Sequence, residues 1–301
     1  MPTSPHLMML RTLFLAGCAA TAGAADPEPG FTALPLADGV SLLQGYECNI
    51  TVAAGDDGVV VVDTCGAGAA DALLAAVKRL SGKPIRFVVN THAHADHSGG
   101  DAVFQQFAPV IAHHTVRTRM ASGNQVTGDR PGPPAALPVI TFDGEMTLHV
   151  NGDDIRLLHL PAGHTDGDVV VFFSKANVVC MGDVFMSPGA SFGDRHYGGG
   201  MLGLIRELER VLPQIPDGAK VVPGHGLVST RADVARGLAV LQGMKAAVEA
   251  GVRGGKTLEQ LTAERPLDRW RGSVPAWSSS DKSLDGWVRN FYREITAQSP
   301  N

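Results

Sequence analysis

One short stretch of the chain carries four side chains that can bind a metal ion. Residues 91–100 read THAHADHSGG and place His92, His94, Asp96 and His97 within six positions. Imidazole and carboxylate groups are the usual ligands of zinc and related metals in catalytic sites. The apolar run before the stretch predicts a strand, and the residues after it begin like a helix. The cluster therefore lies where α/β folds place their chemistry, which favours a metal site over a His-rich surface loop.

Three further positions repeat this arrangement of an apolar strand, a short turn and a polar side chain. His164 and His225 each follow a glycine, and Asp183 ends the run VVCMGD. Together with the His92 cluster they predict one shared site. Because side chains alternate along a strand, Cys180 is expected to face away from Asp183 and to belong to the core.

The elements that must position these side chains form two blocks of strands. The first block comprises 40–43, 48–53, 59–63, 85–90 and 109–112, with a hairpin turn at 55–58. The second comprises 145–150, 155–160, 168–173, 178–181 and 220–222. Helical periodicity covers 69–80, 201–212, 231–252, 257–264 and 283–297, with a capping box at Thr230 and Asp233. Residues 26–35 are expected to be a linker and 122–138 a loop. This order points to two sheets packed face to face with helices outside.

The N-terminal segment resembles a secretion signal. Arg11 precedes a short apolar run and small residues follow it, so residues 1–25 are expected to be removed and the protein to be periplasmic or secreted. A lipobox-like LAGC ending at Cys18 offers a second cleavage site and a lipid anchor as the only membrane contact. The net charge of -5 and the absence of a basic run exclude a nucleic-acid groove.

Aromatic and sulfur-containing residues outside the metal cluster are expected to be structural. Trp270, Trp277 and Trp287 are expected to anchor the C-terminal helices in the core. The mature chain keeps Cys48, Cys65 and Cys180, an odd number that excludes a full disulfide framework. Whether Cys48 and Cys65 pair stays open.

Taken together, Asp63, the THAHADH stretch, His164, Asp183 and His225 resemble the signature of the metallo-β-lactamase fold superfamily from about residue 40 to 225 and beyond. The resemblance implies a four-layer αββα sandwich, over residues 26–301, with two metal ions. His92, His94 and His164 would bind one ion, and Asp96, His97 and His225 the other. Asp183 would bridge them, and Asp63 would orient a ligand by a hydrogen bond.

The activity that this resemblance implies is hydrolysis of a carbonyl compound by a hydroxide bridging two zinc ions, with Asp96 also orienting it. Iron or manganese stays open as the metal. An iron-dependent oxidoreductase on the same fold is the alternative enzyme class. A binding protein on a relict fold would have lost ligands, and this chain keeps all seven.

The substrate is expected to be a small molecule. The cysteine-ligand β-lactamases of the superfamily carry a lysine three residues after their cysteine, where this chain has Met186. The glutathione-binding element of glyoxalase II is also absent after Asp183. Export favours a β-lactam-type antibiotic, and thioesters and lactones stay open. The candidate substrate-binding residues lie in the loops, namely Arg130, Arg195 and His196.

Overall fold

The computed structural model describes residues 30–298, so the predicted signal segment and Cys18 lie outside the described residues. The strands are β1 (Thr32–Ala37), β2 (Val40–Gln44), β3 (Ile50–Gly55), β4 (Gly58–Val62), β5 (Ile85–Val89), β6 (Val110–His113), β7 (Ile140–Phe142), β8 (Glu145–Val150), β9 (Asp153–Leu160), β10 (Asp168–Phe173), β11 (Val178–Cys180) and β12 (Lys220–Val222). The helices are α1 (Ala70–Leu80), α2 (Ala95–Ser98), α3 (Asp101–Phe104), α4 (His114–Ser122), α5 (Met201–Val211), α6 (Arg231–Arg253), α7 (Leu258–Glu264) and α8 (Asp281–Gln298).

Two sheets form the centre of the molecule. The first has seven strands in the order β1-β2-β3-β4-β5-β6-β7, and the second has five in the order β12-β11-β10-β9-β8. Strand β4 is buried along its whole length, because Val60 and Val62 face the second sheet while Val59 and Val61 face α1. Helices α5, α6 and α8 cover the outer face of the second sheet. The predicted αββα sandwich is confirmed.

Strand direction brings the functional loops to one end of the sandwich. Strands β4 and β5 run parallel, as do β11 and β12, so each pair ends at the same edge of its sheet. The two edges are joined by backbone hydrogen bonds from Val169 N to Thr91 O (2.8 Å) and from Asn49 N to Gly224 O (2.8 Å). The ends of β4, β5, β9, β11 and β12 therefore meet at this edge.

Two local expectations are wrong. The segment expected to be a linker contains β1, which pairs antiparallel with β2. Its four leading residues are exposed, so the usual alternating pattern is missing, and Pro35 is tolerated because β1 is an edge strand. Trp287 is buried as expected, but Trp277 is 60% exposed and does not anchor the core. The capping box at Thr230 and Asp233 is confirmed.

No helix within residues 30–298 is both long enough and apolar enough to span a membrane.

Candidate metal centre

The seven predicted ligands meet at the common edge of the two sheets and form two groups. The first group is His92, His94, His164 and Asp183, and the second is Asp96, His97 and His225. In each group the potential ligand atoms all lie within 4.8 Å of one another. Residues that are up to 133 positions apart in the chain are therefore gathered around one small volume.

Distances in the first group suit a tetrahedral metal ion. The Nδ1 atom of His94 lies 3.1 Å from His92 Nε2 and 3.0 Å from His164 Nε2. Asp183 Oδ2 lies 3.9 Å from His92 Nε2 and 3.5 Å from His164 Nε2. Zinc–nitrogen bonds of about 2.0–2.1 Å at tetrahedral angles separate neighbouring ligand atoms by about 3.3 Å. Three of these distances lie close to this spacing, and the one between His92 and Asp183 is longer.

The second group has the same spacing and shares Asp183. His97 Nε2 lies 3.3 Å from His225 Nε2, and Asp96 Oδ2 lies 3.5 Å and 3.2 Å from these two nitrogens. Asp183 Oδ1 is 3.3 Å from His97 Nε2, and Asp183 Oδ2 is 3.3 Å from His225 Nε2. The carboxylate of Asp183 therefore lies between both groups.

Every imidazole turns its outer nitrogen towards an oxygen atom that fixes its orientation. The outer nitrogen of His97 lies 2.8 Å from Asp63 Oδ2, and that of His94 lies 3.2 Å from Asp194 Oδ2. His164 Nδ1 lies 2.7 Å from the Phe192 carbonyl oxygen.

The last two rings follow the same rule. His225 Nδ1 lies 2.6 Å from the Glu47 carbonyl oxygen, and His92 Nδ1 lies 3.1 Å from Thr91 Oγ1. The Thr91 hydroxyl donates to Asp63, so its oxygen is free to accept a hydrogen bond. Carbonyl and carboxylate oxygens only accept, so the outer nitrogens carry the protons. Neutral rings in this arrangement aim five lone pairs at one another, which is favourable only when positive charge lies between them.

The pKa shifts of the clustered side chains also indicate that the site binds positive charge, either as protons or as metal ions. Burial alone would lower the pKa of His225, but the carboxylates of Asp183 and Asp96 outweigh it and raise that pKa to about 10. Burial lowers the pKa of His164 to about 4 and that of His92 well below its usual range. Burial would raise the pKa of Asp183, yet the surrounding imidazoles hold it well below its usual range. The cluster binds protons or metal ions in the same volume, so metal binding must displace protons.

The carboxylate of Asp183 fits closely against Gly224 and has an oxygen atom, Oδ1, that lacks a hydrogen-bond partner among the described residues. Asp183 Oδ1 is buried and, among the described residues, accepts no well-formed hydrogen bond. A Cβ atom on Gly224 would lie 1.9 Å from this oxygen. Only glycine at position 224 leaves room for the carboxylate, and a metal ion at the second group would give Oδ1 the partner that it lacks.

Asp63 contacts Thr91 and His97 and has a strained backbone. It lies just after β4 with a φ of +67°, a conformation that few non-glycine residues adopt. Asp63 Oδ1 accepts from Thr91 N (2.7 Å), and Oδ2 accepts from the Thr91 hydroxyl (2.8 Å) as well as facing His97. It ties the end of β4 to the metal-binding loop after β5.

The segment 192–200 supports the first group, a role that sequence reasoning did not assign to it. Asp194 donates its N–H to the His164 carbonyl oxygen (2.7 Å) and accepts from His94. Tyr197 packs its ring edge-on to His94, with 4.4 Å between centroids. The hydroxyl of Tyr197 also bonds Asp129, which joins this segment to the loop 122–138. Carbonyl partners such as that of Phe192 leave no signal in residue type, so no sequence pattern could have identified them.

The three candidate substrate-binding residues lie around the site and not in it. Arg130 is exposed and lines a cavity of about 250 Å³ beside Tyr197 and the metal-binding loop. Arg195 and His196 are exposed on the segment that supports His94 and His164. The carbonyl oxygen of His196 accepts from Asn124 (2.9 Å), so this residue helps to join the two loops.

The three cysteines within residues 30–298, together with His113, are engaged elsewhere. Cys48 and Cys65 are free thiols with sulfur atoms 3.9 Å apart, and Cys48 donates to the Asp96 carbonyl oxygen. Cys180 is buried in the core and donates to Thr51. His113 lies close to His114 and Asp143, but both of its ring nitrogens already have hydrogen-bond partners. It therefore has no lone pair left for a metal.

The open side of the cluster identifies where a substrate can approach. The side chains of His92, His97 and His164 are at most 1% exposed, whereas those of Asp96, His225 and His94 are 32%, 24% and 18% exposed. The mouth of the site therefore lies beside Asp96, His225 and His94.

Comparisons with known proteins agree with this geometry. The family profile described as Metallo-beta-lactamase superfamily matches residues 43–225. A probable metallo-hydrolase of Methanocaldococcus jannaschii is 24% identical over 197 residues, which are 62% of this chain and 91% of that protein. A hydroxyacylglutathione hydrolase of Polaromonas sp. is 30% identical over 159 residues, or 51% of this chain, and the match spans 53% of that enzyme.

Solved structures share the fold. A metallo-beta-lactamase from Pontibacter korlensis superposes with a TM-score of 0.62 at 21% identity, covering 70% of this chain and 99% of that one. The DIM-1 metallo-beta-lactamase gives a TM-score of 0.59 at 19% identity, covering 71% and 98%. The family profile covers more than half of the sequence, and its region contains every residue of the two metal-binding groups. The chain belongs to the metallo-β-lactamase superfamily and is a metal-dependent hydrolase.

Proposed function

We propose that the chain is an exported hydrolase that uses two zinc ions to cleave a carbonyl compound, with β-lactam-type antibiotics as its first substrate class. The observation that carries this proposal is the convergence of five oriented imidazoles on a shared carboxylate. Imidazole and carboxylate ligands at these spacings suit zinc, and the two groups share Asp183. The partly exposed side chains of Asp96, His225 and His94 leave the site open to a substrate.

The chemistry that bound zinc supplies is Lewis acidity and a coordinated water whose pKa falls to about 7. The chain provides the geometry. Asp183 spans both groups, and Asp63 and Asp194 prevent His97 and His94 from rotating. Hydrogen bonding to His225 outweighs burial and lowers the pKa of Asp96, so this carboxylate is ionised at neutral pH. Because Asp96 lies at the mouth, its carboxylate can hold the proton that a nucleophilic water gives up.

Two observations bear on the substrate. The signal-like residues 1–25 would deliver the enzyme to the compartment where antibiotics arrive, which supports a β-lactam. The similarity to hydroxyacylglutathione hydrolases supports a thioester as the second candidate. Lactones complete the panel because they offer the same activated carbonyl.

The test is metal analysis of the purified mature protein followed by assays on β-lactams, thioesters and lactones. We expect two zinc ions per chain and hydrolysis of at least one class. His94→Ala should abolish hydrolysis, whereas His149→Ala should not, because His149 is an exposed residue paired with Asp154 at the β8–β9 hairpin, the end of β9 opposite to His164. Absence of a bound transition metal, or full activity in His94→Ala, would contradict the proposal. Bound iron with oxygen consumption would instead support the oxidoreductase alternative.

A further inference from the structure

The turn that carries His225 does not fix its own conformation. It reads PGHG over residues 223–226 and follows β12 directly. Glycine adopts more backbone conformations than any other residue, and Gly226 has a φ of +98°. His97, by contrast, lies in helix α2, and its N–H donates to the His94 carbonyl oxygen (3.0 Å). The position of the His225 ring must therefore come from contacts with other parts of the molecule.

One residue of the first sheet, Asn49, contacts this turn at three positions. Asn49 lies just before β3, and its Nδ2 atom donates to the carbonyl oxygens of Pro223 (2.9 Å) and Gly226 (2.9 Å). Its backbone N–H donates to the carbonyl oxygen of Gly224 (2.8 Å). Asn49 therefore bonds three of the four carbonyl oxygens of residues 223–226 and joins the two sheets at the metal centre.

An asparagine side chain matches the hydrogen-bonding groups around it. Its amide nitrogen has two N–H donors, and both partners of Nδ2 are carbonyl oxygens, which only accept. Asn49 Oδ1 accepts from Gln44 Nε2 (3.1 Å), so the amide cannot rotate without losing all three bonds. Asn49 is only 8% exposed, so water cannot readily replace them. Alanine at this position would leave the Pro223 carbonyl oxygen without this donor in a buried setting.

The two residues before Asn49 contact other parts of the second metal-binding group. The Glu47 carbonyl oxygen lies 2.6 Å from His225 Nδ1, and Cys48 Sγ donates to the Asp96 carbonyl oxygen (3.0 Å). The first group is instead oriented from the segment 192–200. The two groups are therefore held in place by different parts of the chain.

We propose that Asn49 is a positioning residue that sets the affinity of the second group for its metal ion by holding the turn of residues 223–226 in place. This inference rests on the proposed two-metal function and assigns part of that function to a residue that is not itself a ligand. Residues that orient a ligand without touching the metal typically change metal affinity by about 10- to 100-fold. Because Asn49 acts through His225, its effect should fall on one of the two groups.

The test uses two variants that each keep one complete group of histidine ligands. His164→Ala keeps the second group, and His225→Ala keeps the first. Adding Asn49→Ala should lower zinc affinity by about 10- to 100-fold in the His164→Ala protein, as measured by chelator competition. In the His225→Ala protein the change should be less than about 3-fold, because the backbone bond from residue 49 to Gly224 remains.

Thr51→Val is the matched control. Thr51 is a buried residue of β3, two positions after Asn49, and its hydroxyl accepts from Cys180 of the second sheet (3.1 Å). The control therefore also removes a hydrogen bond between the sheets but leaves the His225 turn untouched, so zinc affinity should stay within about 3-fold in both proteins. An equal loss in both, no loss in either, or an equal effect of Thr51→Val would overturn the assignment.

A second variant and a second measurement cover the remaining outcomes. If circular dichroism shows that Asn49→Ala does not fold, Gln44→Ala should cause the same selective loss at about 3- to 10-fold, since it removes the donor to Asn49 Oδ1; unchanged affinity would then overturn the assignment. Absence of zinc from the parent would contradict the proposed function, and hydrogen exchange of the metal-free proteins then decides the role of Asn49. Faster exchange of residues 221–229 in Asn49→Ala than in Thr51→Val supports that role, and equal exchange overturns it.

Discussion

Replacing Gly224 by alanine tests whether the position of Asp183 is fixed by its neighbours. The added Cβ would lie 1.9 Å from Asp183 Oδ1, whereas real Cβ contacts essentially never fall below 3.0 Å. The backbone of residue 224 cannot shift easily away from Asp183, because its N–H donates to Gly182 O (2.7 Å) and its carbonyl oxygen accepts from Asn49 N (2.8 Å). The carboxylate must therefore move by about 1 Å.

A displacement of this size is large for a metal ligand. Coordination distances in a functional site are held within about 0.2 Å, and a misplacement of about 1 Å costs about 100-fold in rate. Because Asp183 lies between both groups, we expect Gly224→Ala to lose at least one metal ion and about 100-fold in kcat. Zinc stoichiometry by mass spectrometry and hydrolysis rates under zinc saturation measure the two effects.

Gly82→Ala is the matched control, because no atom lies within 4 Å of a Cβ at that position. Circular dichroism and thermal unfolding of the metal-free proteins separate a local displacement from loss of the fold. A Gly224→Ala protein that binds two zinc ions as tightly as the parent, with parental rates, would refute the reasoning.

Three further predictions follow from the geometry around the site. Asp63→Asn should lower zinc affinity by about 10- to 100-fold in a chelator competition, because an amide cannot accept all the hydrogen bonds that orient His97. Zinc affinity equal to that of the parent would contradict this prediction. Burial raises the pKa of Asp101 to about 8. Its Oδ1 accepts from Asn90 Nδ2 (3.0 Å), and within residues 30–298 neither Asp101 Oδ2 nor Asn90 Oδ1 has a hydrogen-bond partner. At this one group the native state binds more protons than the unfolded chain between pH 4 and 8, so the contribution of Asp101 to stability falls as pH rises through that window. The difference in unfolding free energy between Asp101→Asn and the parent should therefore grow in favour of the variant from pH 4 to pH 8, as measured by urea titration. A difference that does not change with pH would contradict the raised pKa of Asp101. Thiol titration of denatured mature protein should find every cysteine reduced, and fewer thiols would indicate a disulfide.

Much of the architecture could be predicted because local patterns in this chain are strong. The alternation in β9 and the apolar runs of β4 and β10 identify strands regardless of their neighbours. The edge strand β1 was missed because it is exposed and contains a proline, so its only strand signal is pairing with β2. Trp277 was misplaced because residue type alone cannot distinguish a buried ring from an exposed one.

The sequence by itself determined which side chains could bind metal, since the spacing in THAHADH and the glycine-flanked His164 and His225 report residue type and turn position directly. Only the tertiary structure decided how those side chains act together. The sharing of Asp183 and the carbonyl oxygens that orient the rings depend on contacts between distant segments. Such contacts arise from how two sheets and their covering helices pack, and no local pattern encodes them.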